Sequence, residues 1–390
     1  MVKKNVLFVS YDGLLDPLGK SQILPYLLGL SERGFRFNIL SYEKINKNIN
    51  EFERLEYLLN KKNLKWYRLS FQKGKFQNLL RIIKGAFLVN HICRNNNIDL
   101  VHCRTILSSL IYFFSFVNKK FIYDMRSFSG QWVETKAIKK NSLLHGIFRI
   151  LEDYLIKRAA GVVVLDKSGA KYLEGNYKKK ILYKIIPTST NLNNYKAFKY
   201  KKNKEIKFVF LGGVSYPYLP CEALMFINQL KELGFNCKLD FINKGEHKVI
   251  EKICSNINFP LENISIKEIP NEKIPKELNR YDCGLVFIAQ GKWLSMSSPT
   301  KIGEYLASGL FVLSLEGLNV TQRLAKNYDS VEIIRRDFLV HKIKKIEAKK
   351  LFEKINDPRR SRTSIKIAKK EYDMKLALDK YENLYKTILI

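Results

Sequence analysis

Ser297-Ser298-Pro299-Thr300-Lys301-Ile302-Gly303-Glu304-Tyr305-Leu306-Ala307-Ser308-Gly309 lies between two short apolar runs, Gly284-Leu285-Val286-Phe287-Ile288 and Leu310-Phe311-Val312-Leu313. That order reads as strand, loop, helix, strand. Ser298 and Thr300 are offered as N-cap residues and Gly309 as the helix stop. Unsatisfied backbone N–H groups at a helix start, together with Lys301, make a place for a phosphate. Glu304 lies four residues after Thr300, on the same side of the first turns, where a carboxylate can accept hydrogen bonds from a ribose diol. The same pattern also describes an ordinary capped helix of an α/β domain.

At 390 residues, 46% hydrophobic and 12% aromatic, the chain is long enough for two domains with cores of their own and is not a disordered polymer. Cys93, Cys103, Cys221, Cys237, Cys254 and Cys283 never fall in a C-x-x-C spacing. They read as small hydrophobes in a reducing compartment rather than as a metal or disulfide framework. The apolar run after Met1 is too short for a secretory signal, and Ile106–Val117 is too short for a membrane span, so a cytosolic protein is expected. The formal net charge is +32. Residues 1–200 carry +21 of it and residues 201–390 carry +11. Lysine-rich composition accounts for such an excess, and so does an anionic partner such as a membrane face or a phosphorylated substrate. No nucleic-acid module is present in the sequence, so nucleic acid is not an expected partner.

Short apolar runs alternate with longer amphipathic stretches along the whole chain. Strands are predicted at Asn5–Ser10, Phe35–Tyr42, Leu64–Leu69, Asp99–His102, Phe121–Asp124, Gly161–Leu165 and Ile181–Ile186. After a basic gap at Thr188–Lys204 they resume at Ile206–Leu211, Lys238–Ile242, Ile264–Ile266, Gly284–Ile288, Leu310–Leu313 and Ser330–Ile333. Many are continuous rather than alternating runs, as parallel strands covered on both faces require. Two Rossmann-like, doubly wound α/β sheets follow. Ser364–Ile390 has a helical period and is expected to return to the first domain. That makes residues 1–188 with about 366–390 one domain and residues 189–365 the other.

Gly13 to Ser21 nearly spells a phosphate-binding P-loop, but five residues, one of them Pro17, separate its glycines where the motif allows four. An ATPase loop is therefore rejected. Gly19 still opens a helix start to an anion, or simply allows a tight turn, and Gly212-Gly213-Val214 repeats the choice in the second half. No Asp-x-Asp occurs, which favours transfer chemistry without a metal. His102 with Arg104, and Asp124 with Arg126, close two adjacent strands, where open α/β sheets bind ligands. With Asp12 they are acceptor-side candidates, although an Arg–Asp tie between loops explains them as well. Arg126 and Lys301 are the cations expected to take part in catalysis. Lys73–Arg94 reads as a basic amphipathic helix able to lie on an anionic bilayer or to cover a sheet.

Over nearly its whole length the chain resembles glycosyltransferase family 4. The resemblance rests on Val9-Ser10-Tyr11-Asp12-Gly13 with Pro17-Leu18-Gly19-Lys20-Ser21-Gln22, on Asp99-Leu100-Val101-His102, and on Tyr123-Asp124-Met125-Arg126. It continues through Ala160–Leu165 and Ile186-Pro187-Thr188, and is most specific in Ser298-Pro299-Thr300-Lys301 with Glu304–Gly309. The resemblance implies the two-domain GT-B fold, an acceptor-binding first domain, and a second domain holding a UDP- or GDP-linked sugar. It also implies retention of anomeric configuration in the cleft between them and Glu304 on the ribose. Ser298, Pro299, Thr300, Lys301 and Glu304, with Gly19, Gly212 and Gly213, are the donor-side candidates. The expected acceptor is lipid-linked or a saccharide in surface polysaccharide synthesis (lipopolysaccharide or capsule), reached at the inner face of the cytoplasmic membrane. No cofactor beyond the donor is expected.

One departure stands out: the family places a second glutamate eight positions before Glu304, where this chain has Met296. The Gly212-Gly213 loop also lacks the Arg and Lys that many members place after it, with Lys292 or Lys301 available instead. A non-catalytic nucleotide-binding or membrane-binding protein of the same fold, and a sugar-nucleotide epimerase, are the other readings.

Overall fold

The computed structural model describes residues 3–44, 49–71, 74–178, 180–195 and 204–390. Lys73, the first residue of the predicted basic helix, and residues 196–203 of the predicted interdomain gap lie outside them.

Among the described residues, thirteen strands build two fully parallel sheets. The first contains β1 (Lys4–Ser10), β2 (Phe35–Lys44), β3 (Lys65–Phe71), β4 (Leu100–Arg104), β5 (Phe121–Asp124), β6 (Gly161–Val164) and β7 (Tyr183–Ile185), in the order β3-β2-β1-β4-β5-β6-β7. The second contains β8 (Ile206–Leu211), β9 (Cys237–Ile242), β10 (Ile264–Lys267), β11 (Cys283–Val286), β12 (Phe311–Leu315) and β13 (Val331–Ile334), in the order β10-β9-β8-β11-β12-β13. Each predicted apolar run is a strand, displaced by a residue or two at its ends. Central strands such as Leu100–Arg104 and Phe311–Leu315 are buried at every position, so helices must cover both faces. The strand order reverses between β1 and β4 and again between β8 and β11. Open α/β sheets form their ligand crevices beyond the carboxyl ends of the strands at such points.

The chain divides into two compact units, Met1–Pro187 with Met374–Ile390, and Thr188–Asp373. Both expected boundaries shift. Thr188 belongs to the second unit, where its hydroxyl donates to the Ser298 carbonyl. Residues 366–373 belong there too, because Ile367, Ala368 and Tyr372 are part of that unit's core. The terminal helix is consequently two helices, not one. Arg360–Ile367 runs into a π-helical turn at Ala368–Tyr372, and Met374–Leu389 starts afresh after an extended Asp373. The break comes where Thr190 N donates to Tyr372 O at 2.7 Å and Thr190 bridges Asp373. From Met374 the last helix packs Leu378, Tyr381, Leu384 and Tyr385 into the first unit's core.

All six cysteines are free, and all but Cys221 are buried. Among the described residues, no helix is long and apolar enough to cross a membrane.

Candidate functional site

In the second unit, β8 leads into Gly212, whose φ of +97° is left-handed backbone that a side chain would strain. Past β11 the chain returns through a 3₁₀ turn, Leu294–Met296, into the helix Thr300–Ala307. Tyr305 fixes this helix to the sheet. Its hydroxyl accepts from Leu211 N (2.9 Å) and donates towards Val209 O (3.3 Å), while its ring lies where a Cβ on Gly284 would be. Gly303 on the same helix leaves room for Thr190 and Tyr372. Gly309, at φ +74°, ends it as expected.

The expected capping is not observed. Pro299 is the N-cap, no side chain caps the helix, and Thr300 is its first residue. Ser298 is buried against Thr188, with its carbonyl and hydroxyl both within reach of the Thr188 hydroxyl. The N-terminus of this helix therefore carries no side-chain acceptor of its own.

Lys301 projects from this first turn into the sheet end and is 5% exposed. Among the described residues its ammonium has no hydrogen-bond partner. It lies 4.2 Å from the ring centroid of Tyr218 and 4.7 Å from that of Phe210, beside the Gly212 turn. Burial lowers its pKa to about 7, against the opposing pull of Glu304. Cation–π contacts recover part of the desolvation cost, but a buried charge without a counter-ion is expensive. Glu304, half-buried one turn on, makes no side-chain hydrogen bond among the described residues. Burial raises its pKa to about 7, opposed by Lys301. The arrangement holds an anion-seeking cation and a hydroxyl-seeking carboxylate that favour each other's charge but make no side-chain hydrogen bond among the described residues.

The two glycine turns differ from expectation in the same way. At Gly212-Gly213 the Glu246 carboxylate accepts from Val214 N (3.0 Å), Asn243 Nδ2 (2.9 Å) and the Ser215 hydroxyl. Burial disfavours its charge, yet these donors outweigh that and lower its pKa. In the first unit, Leu14 N (2.6 Å) and Leu15 N (3.4 Å) donate to Glu43, which also takes the Ser41 hydroxyl. Gly19 is a packing glycine, because a Cβ there would collide with the Gly13 and Leu14 backbone. Each loop already holds an anion, and it is a side chain of the protein. Neither glutamate was identified from sequence. The available signal was an acid just beyond the end of β9 and another near the end of β2.

Asp12, His102, Arg104, Asp124 and Arg126 do come together, but as an internal network. Asp124 contacts His102 Nε2 (3.2 Å) and Arg126 Nε (3.0 Å) and accepts from Tyr381 OH (2.8 Å). His102 Nδ1 shares a 2.5 Å hydrogen bond with Tyr385 OH, and Arg104 pairs with Asp12 at 3.3 Å. Burial opposes the charge on Asp124, yet Arg126, His102 and Arg104 hold it well below the usual carboxylate range. Burial also lowers the pKa of His102. The cavity beside these side chains is about 10 Å³, room for one water. Arg126, expected to be catalytic, is instead engaged by Asp124 and Tyr381. Of the five, Asp12 is the most exposed, with 36% of its side chain accessible.

No known family profile matches the chain, and no curated protein matches it in sequence. Solved structures do match in fold. Sucrose-phosphate synthase from Thermosynechococcus elongatus superposes with a TM-score of 0.72 at 11% identity, covering 99% of both chains. A glycosyltransferase from Rickettsia africae gives 0.66 at 14% identity, covering 100% of this chain and 99% of its own. Anabaena HepE, solved in complex with UDP-glucose, gives 0.65 at 12% identity over 98% and 99%. At such identities the likeness establishes the fold, that of the GT-B glycosyltransferases, over nearly the full length of the chain.

Proposed function

We propose that the protein is a metal-independent, retaining glycosyltransferase that moves a sugar from a nucleotide donor to a lipid-linked or saccharide acceptor in surface polysaccharide synthesis. The observation that carries this reading is Lys301, a buried ammonium without a hydrogen-bond partner among the described residues, at an uncapped helix start beside the Gly212 turn. A nucleoside diphosphate supplies what is missing there. Its phosphates give Lys301 a counter-ion and take up the helix-end N–H groups, and its ribose hydroxyls reach Glu304. These contacts strengthen as negative charge develops on the departing diphosphate, which is how a site lowers the barrier to glycosyl transfer. Asp12 and Arg104 remain the acceptor-side candidates of the first unit. UDP and GDP are the expected nucleotides, and the inner face of the cytoplasmic membrane is the expected place of action.

The experiment is a turnover screen over UDP-, GDP- and dTDP-sugars, with nucleotide binding measured for the parent and for Lys301→Ala. Turnover of one donor, with binding lost in the variant, is the expected result. Unchanged binding in Lys301→Ala contradicts the site. Met296, buried where the family carries an acid, favours a second reading, a nucleotide-binding protein without transfer activity. Binding without turnover of any donor would select it.

A further inference from the structure

Large apolar side chains in the first unit cluster on one exposed face. The helix Leu143–Arg158 buries Glu152, Leu155 and Ile156 on one side. On its opposite side Leu143, Ile147, Ile150 and Tyr154, spaced at four, three and four residues, form a single stripe whose residues are all exposed. Leu143 is 82% and Ile150 68% exposed. The stripe continues onto the neighbouring helix, Thr105–Phe114, where Phe113 meets the Tyr154 ring at 5.3 Å. Just beyond that helix Phe116 stands 87% exposed on left-handed backbone, φ +52°. Its backbone ends the helix after the Ser115 C-cap, and its ring is left in solvent beside the stripe's helix partner. Lys139 and Lys140 just before this helix, Arg149 within it and Lys119 three residues after Phe116 are all exposed. The first unit as a whole carries 36 Lys and Arg against 16 Asp and Glu.

We infer that the Leu143–Arg158 helix and Phe116 form the surface by which the protein docks on an anionic lipid bilayer. The apolar side chains protrude from convex helices rather than line a groove. They suit insertion at the headgroup boundary, with the flanking cations on lipid phosphates. A second copy of the chain would bring the same cations against each other, so charge disfavours a dimer through this face. The basic helix expected from sequence to meet a bilayer, Lys75–Asn95, packs beside Thr105–Phe114 and exposes Leu79, Ile83 and Phe87. It adjoins the proposed surface, while the Leu143 helix carries the more exposed stripe. This inference stands on the first unit alone and does not depend on the nucleotide site.

The test is co-sedimentation of the full-length protein with vesicles of two-thirds phosphatidylcholine and one-third phosphatidylglycerol. The parent should bind, and binding should weaken steeply with salt as the cationic contacts are screened. Phe116→Glu/Ile150→Glu should lower the partition coefficient at least about tenfold while keeping the parental circular dichroism and thermal midpoint. Val340→Glu, at a 79% exposed site in the second unit, should bind like the parent. Equal vesicle binding by parent and double variant would overturn the inference, as would equal binding to pure phosphatidylcholine. A dimer abolished by the double variant, with no vesicle binding by the parent, would also overturn it in favour of self-association.

Discussion

Each sheet buries a cation at the carboxyl ends of its strands, and the two are treated in opposite ways. Arg126 in the first unit is enclosed by Asp124 and Tyr381, with room for one water beside it, and its pKa is pushed up by these partners. Lys301 in the second has two aromatic rings and no acceptor, and its pKa is pushed down by burial. The fold is the same at both ends, so the difference lies in what the chain brings to each. The last helix returns to the first unit and delivers Tyr381 and Tyr385 to Asp124 and His102. Among the described residues no hydrogen-bond acceptor reaches Lys301. Arg126 has a carboxylate at 3.0 Å, whereas Lys301 has no ion pair among the described residues, and a buried cation without one costs stability and is held ready for a ligand.

Removing the partner of the satisfied cation should have the largest effect. Asp124→Ala leaves Arg126 buried without its carboxylate and should cost about 3–5 kcal/mol of stability, read by denaturant unfolding. Nucleotide affinity in the folded fraction should not change. Lys301→Met should act in the opposite sense. It should abolish most nucleotide affinity, by about a hundredfold for a charge-assisted contact. It should also stabilise the protein by about 2 kcal/mol below pH 7, because a buried unpaired charge has gone. The sign follows from the shift. The folded pKa of Lys301, about 7, lies below its unfolded value of 10.5. The penalty is therefore full below pH 7 and fades as pH rises towards 10.5. The gain in Lys301→Met should fade with it, which unfolding curves at pH 6 and pH 9.5 would detect.

Glu304→Gln should be milder, weakening UDP or GDP by about tenfold and, measured at pH 6 where Lys301 stays largely protonated, weakening pyrophosphate less than either nucleotide, since the ribose contact is lost only for the nucleotides. With both groups near pH 7, parental affinity should fall at higher pH as Lys301 loses its proton, and at lower pH as Glu304 gains one. Lys301→Met should lose the alkaline limb of that profile. Isothermal titration across pH 5.5–9 measures both effects.

The strands were legible because each is a continuous apolar run between turn residues, and burial on both faces leaves little else for such a run to be. The helix break at Asp373 was not, because the helical period from Ser364 continues through it and the interruption comes from pairing with Thr190. Ser298 was read as a cap because the residue type fits, but its side chain is committed to Thr188, 110 residues away in sequence. Glu43 and Glu246 were missed for the same reason: their loops lie about 30 residues away in sequence, and only the folded sheets bring them together. Lys301 and Glu304 were visible as residue types at a helix start. That Lys301 has no partner could not be seen, because a missing contact leaves no trace in composition or spacing.

The most direct test of the account is the titration of Lys301 itself, by NMR of lysine-labelled protein with Lys301→Met as the assignment control. The account predicts a titration near pH 7 in the free protein, displaced upward by several pH units when UDP or GDP is bound. An ordinary titration near 10.5 without nucleotide, or one that nucleotide leaves unmoved, would contradict it.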